Sequence, residues 1–117
     1  LLLSEVAEPP AQMVESLTTL FKTLKTVKRA FICSIKERAD EQPNLLIGIE
    51  AEGDIEEIIH AAGSVATDTL PGDEPIDICQ VVEGEKGISH FMLAHITPFY
   101  EKRWGSFLRD FKQNRII

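Results

Sequence analysis

The chain has 117 residues and a mass of 13.1 kDa, 44% hydrophobic and 26% charged; that closes one compact core, while two would each fall near the lower limit of stability. Nineteen acidic residues against twelve Lys and Arg give a net charge of −7, which favours solubility and makes nucleic acid an unsuitable partner. No apolar run approaches the roughly 18 residues of a membrane-spanning helix, and Leu1-Leu2-Leu3 lacks the basic flank and the length of a signal peptide.

In chain order, residues 1–8 read as a linker remnant, the end of something upstream, because the sequence starts without Met. Pro9-Pro10 then opens a helix, since proline is tolerated where the first amides have no intrahelical partner. Met13, Leu17, Leu20, Phe21 and Leu24 follow at helical spacing and give residues 10–25 one apolar face. Val27 to Lys36 favours a strand, and Leu45 to Ala51 a second. The charged segment between them, closed by Pro43, reads as an exposed hairpin loop.

Asp54 is a natural N-cap for the next helix, with Glu57 three residues on where a capping box requires it. Ile55, Ile58, Ile59, Ala62, Val65 and Ala66 form its buried face. A turn cluster at Leu70 to Pro75 leads to a third strand, Ile76 to Val82. A short helix from Ile88 is stopped by Pro98, and Trp104, Phe107, Leu108 and Phe111 suit a final amphipathic helix.

These elements predict a single α+β domain over residues 1–117: a small three-stranded mixed sheet, built from a hairpin plus a helical crossover and covered by helices. The strand order expected is 2-1-3, with the third strand beside the first.

The chemistry-bearing residues do not assemble a centre in sequence. Glu56, Glu57 and His60 share one helical turn, but a di-iron bundle needs that unit twice, and there is no second copy. His90 and His95 are five apart, a poor separation for one helical face. Cys33 and Cys79 each sit inside an apolar strand run, where cysteine serves as a small hydrophobe; both are expected to be reduced, buried and metal-free. No phosphate-binding loop is present. Gly63 to Pro75 is polar and could rim a pocket, but a helix end running into a turn accounts for it without one, and the Gly72 turn is expected only to connect helix to strand. No catalytic, cofactor-binding or metal-binding residue is therefore assigned, and no cofactor is expected.

Charge is unevenly spread. Residues 1–100 hold 7 basic and 17 acidic side chains, a net of −10, whereas residues 101–117 carry a net of +3. Two readings follow. The preferred one is a C-terminal helix laid over the acidic body of its own domain; the other is a basic, aromatic tail for an acidic partner. Arg103, Trp104, Arg109 and Arg115 are the candidate partner-binding residues, since Trp and Arg are enriched at binding hot spots.

Three stretches carry a family resemblance: Pro43 to Glu50, Ala66 to Asp77, and Thr97-Pro98-Phe99-Tyr100 running on to the end. Together they resemble the C-terminal domain of the bacterial enhanced serine sensitivity family, SseB. The resemblance implies a cytoplasmic protein with a separate N-terminal domain as the first partner, and a link to serine sensitivity, which is a phenotype and not an activity. A rhodanese-like label has been attached to some members, but this chain has no reactive-cysteine loop. The expectation is a non-catalytic interaction domain that contacts its N-terminal domain, a second copy or an acidic protein. The alternative is a small-molecule sensor or enzyme acting in serine or sulfur metabolism.

Overall fold

Two long strands, β2 (Val27–Lys36) and β3 (Asn44–Ala51), pair antiparallel and form the centre of the fold. A computed structural model describes residues 2–70 and 74–102 of the chain. Ahead of the hairpin lie β1 (Leu2–Glu5) and α1 (Ala11–Thr23); after it come α2 (Ile55–Thr69), β4 (Ile76–Gln80), α3 (Ile88–His95) and β5 (Tyr100–Glu101). The α+β class, the hairpin and the helical crossover all stand. The helix from Trp104 onward lies outside the described residues.

The sheet itself differs from the expectation in two ways. Among the described residues it has five strands, ordered β1-β2-β3-β4, with β5 also against β2. The expected 2-1-3 order is corrected: β4 runs parallel to β3, the second strand of the hairpin, and not beside the first. The reason is that the far edge of β2 is already taken, by β1 along Cys33–Lys36 and by β5 along Arg29–Ala30. Leu2–Glu5, read from the sequence as linker, thus supplies an edge strand whose Leu3 packs onto the sheet opposite Ile35.

Each face of the sheet carries its own apolar cluster. On the first, α1 and α2 cover Val27, Ala30, Ile32, Ile47 and Ile49 with Met13, Leu17, Phe21, Ile58, Ala62 and Ala66. Phe99 and Tyr100 seal this cluster, their rings 6.2 and 5.7 Å from Phe21, and the Tyr100 hydroxyl donates to the Phe21 carbonyl at 3.3 Å. On the second face α3 is, among the described residues, the one helix that covers Phe31, Cys33, Leu46 and Val81, through Met92 and neighbouring Ile96.

Local chemistry explains the joints. Asp54 accepts a hydrogen bond from the Glu57 amide at 3.2 Å and caps α2, as the sequence predicts. Gly53 turns the chain from β3 into that cap at φ +85°, a conformation that side-chain-bearing residues rarely adopt. Near the start of β2 the register slips: Val27 opposes Ala51, but Arg29 opposes Glu50, so Lys28 is the extra residue of a β-bulge.

Candidate functional site

The crossover through α2 leaves β4 as the last strand of the sheet, and among the described residues no strand pairs with its outer edge. The Val81 amide donates to the Ile49 carbonyl at 2.8 Å. By the two-residue period of a strand, the backbone groups of Asp77 and Cys79 therefore face β3, and those of Ile76, Ile78 and Gln80 face outward. Beside this edge runs an open groove of about 490 Å³ between α2 and β4. His60, Gly63, Ser64, Thr67 and Asp68 line it from the helix, and Ile76 and Ile78 from the strand. Gly63 keeps the floor low, since a methyl there would touch Ile78 Cδ1 at 3.6 Å. The polar segment from Gly63 onward does rim a groove, on its α2 side; residues 71–73 lie outside the described residues.

On the other side of the sheet the cover is thin. Leu3, Ile35, Cys79, Ile88, Phe91 and Leu93 are only partly buried around the short α3. At one end of this face Arg29 Nε donates to Glu50 Oε1 at 2.6 Å, and its guanidinium sits 5.8 Å from the centre of the Phe31 ring. The Glu50 carboxylate beside it holds the Arg29 guanidinium above its usual range. The sequence does not reveal this pair, because it depends on the bulged register that brings the two residues opposite each other.

The remaining singled-out residues are dispersed. Glu56, Glu57 and His60 are exposed along α2, and His90 and His95 are exposed on α3, where His95 packs against the Phe91 ring at 5.5 Å. Among the described residues no three His, Cys, Asp or Glu side chains converge on a metal-sized site. Cys33 is fully buried on the second face, and burial, then the neighbouring Cys79, pushes its thiol up to about 11. Cys79, on the edge strand β4, is a free thiol less buried than Cys33. Burial, then Asp77, also raises its thiol. Arg103, Trp104, Arg109 and Arg115 lie outside the described residues.

The fold is an α+β domain with helices on both faces of one mixed sheet, and its sequence places it in a known class. The family model described as SseB protein C-terminal domain matches residues 1–102, and the chain belongs to that family. It is 83% identical over all 117 residues to Protein SseB of Escherichia coli (strain K12), and equally to Protein SseB of Shigella flexneri. The match takes in 100% of this chain but 45% of each relative, so the chain spans about half the length of the curated relatives it matches. No solved structure matches it. Among the described residues no helix is long and apolar enough to cross a membrane.

Proposed function

We propose that the chain is a non-catalytic interaction domain of a cytoplasmic bacterial protein, tied to the serine-sensitivity phenotype that the family resemblance implies. The thinly covered second face carries this reading. Leu3, Ile35, Cys79 and Phe91 form a partly exposed apolar surface around an eight-residue helix, the kind of patch that marks a protein contact. Its first partner is the N-terminal part of the same protein, since the relatives are more than twice as long as this chain. The basic residues Arg103, Trp104, Arg109 and Arg115 are proposed to contact a second copy or an acidic protein. Hydrogen exchange tests the main point: α3 amides should be better protected in the full-length protein than in this chain, and Ile35→Lys should abolish the difference. Equal protection in both would overturn the reading.

The second reading, a sensor or enzyme of serine or sulfur metabolism, is favoured by one observation, the polar lining of the groove at His60, Ser64, Thr67 and Asp68. Titration with L-serine or thiosulfate, followed through the amide signals of those four residues, separates the two. Saturable binding there would displace the interaction-only reading. Rhodanese-like sulfur transfer is disfavoured on positive grounds: both thiols are held protonated by burial, whereas sulfur transfer needs an accessible thiolate.

A further inference from the structure

We propose that the outer edge of β4, together with the α2 groove, binds an extended basic segment of another polypeptide by strand addition. This rests on the reading of the domain as an interaction module and names a second surface for it, on a different element from α3.

Three observations converge. First, the outward backbone groups of Ile76, Ile78 and Gln80 offer donors and acceptors to an incoming strand, the requirement for adding a strand to a sheet edge. Second, the groove lies on the side of β4 where Ile76 and Ile78 point. Alternate side chains of an added strand would enter it, with Ile76 and Ile78 as apolar floor and Ser64, Thr67 and His60 as polar wall. Strand addition gives affinity through the main chain and selectivity through such a groove. Third, the charge selects the occupant. Between Arg38 and Lys86 lie 47 residues with thirteen Asp and Glu and no Lys or Arg. That stretch includes β3, α2 and β4, so every charged side chain the edge presents from these elements is acidic. Asp68 lines the groove, and Glu74 and Asp77 are exposed along the strand's approach and on the strand itself. A second copy would bring the same acidic edge against this one, and like charges across an interface are unfavourable. An occupant with lysine or arginine alternating with small apolar residues satisfies both backbone and field.

The test uses the 117-residue chain and a short, end-capped peptide of alternating lysine and valine, with a glutamate–valine peptide as control. Fluorescence anisotropy should show binding of the lysine peptide only, and amide shifts should centre on Ile76, Ile78, Gln80 and Ser64. Gln80→Pro removes an outward amide at an exposed position and should weaken binding by roughly tenfold, equivalent to about 1.4 kcal/mol, with the thermal melt showing that the fold persists. Asp68→Lys with Asp77→Lys should transfer the preference to the glutamate peptide. Binding that ignores Gln80→Pro would be plain attraction to an acidic body and would overturn strand addition, as would no binding at all. Protection of the outward amides of Ile76, Ile78 and Gln80 in the chain alone would assign the edge to another occupant: to a second copy if it grows with concentration, to the chain's own residues 103–117 if it does not. Either result also overturns the proposal. Contact with the N-terminal part through α3 should survive Gln80→Pro, so failure here is distinguishable from failure of the broader reading.

Discussion

The two faces of the sheet use the same strands and reach different degrees of completion. Among the described residues, two helices and the Phe99–Tyr100 pair bury twelve residues on the first, and one helix of eight residues buries six on the second. Side chains on alternate positions of β2 and β3 serve both, so strand composition does not explain the difference. Helix supply does. The face with α1 and α2 is the larger core, and among the described residues the face with α3 is covered by that one short helix. Most of the buried apolar core among the described residues therefore lies on one side of the sheet.

Truncation should expose that asymmetry most directly. Phe21 is fully buried and touches both Phe99 and Tyr100, so Phe21→Ala should cost about 3–5 kcal/mol of stability. Met92→Ala on the second face should cost about 2 kcal/mol, the lower end for such truncations, because its surroundings are freer to collapse. Urea unfolding of both variants decides the matter. A larger loss for Met92→Ala would reverse the assignment.

A smaller effect sharpens it. Gly48 lies on β3 directly beneath α3, and a methyl there would collide with Met92 Sδ and come within 2.6 Å of Val81 Cγ2. Gly48→Ala should therefore destabilise by about 1–3 kcal/mol through overpacking. Combined with Met92→Ala, the two losses should sum to less than their separate values, since the shorter side chain makes room. Additive losses in a denaturation series would show that α3 does not sit on Gly48 as described.

The last effect is chemical. The Cys33 thiol titrates near 11 in the folded chain, against an ordinary value of 9.0, so folding favours the protonated form. The corresponding stability is fully present below about pH 9 and is lost as pH rises toward 11. The urea midpoint of the native chain should fall over that window more steeply than that of Cys33→Ala. Native alkylation at pH 8 should reach half-buried Cys79 before Cys33. Equal rates would mean that the second face opens more readily than its packing implies.

Much of this architecture was legible in the residues themselves. The apolar runs at Val27–Lys36 and Leu45–Ala51 and the Asp54–Glu57 spacing mark their elements to within a residue, because burial, β-branching and capping are local properties. The strand order was not legible. β1 and β5 have four and two residues, too few to carry a periodic signal, and their claim on the far edge of β2 is what sends β4 to β3. The groove was half legible: the polar run after Gly63 suggested a rim, but its opposite wall comes from a strand brought alongside by the crossover. The absence of Lys and Arg from residues 39–85 was the available signal for that surface, and it lies in the charge sequence, not in a motif.

The extra residue Lys28 acts as a phase shift in β2. Beyond it, odd-numbered Phe31 and Cys33 belong to the second face and even-numbered Ala30 and Ile32 to the first. Before it, odd-numbered Val27 nonetheless reaches the first face, and the strand is two regular waves joined half a wavelength out of step. Deleting Lys28 would set Val27 directly before Arg29, where plain alternation already turns it to the first face, so the bulge could be removed with Val27 still opposite Ala51. What the extra residue adds is its own contacts: half-buried Lys28 pairs its ammonium with Glu52 at 2.8 Å, and its carbonyl accepts from the Lys102 amide at 2.8 Å, which ties the start of β2 to the end of β5.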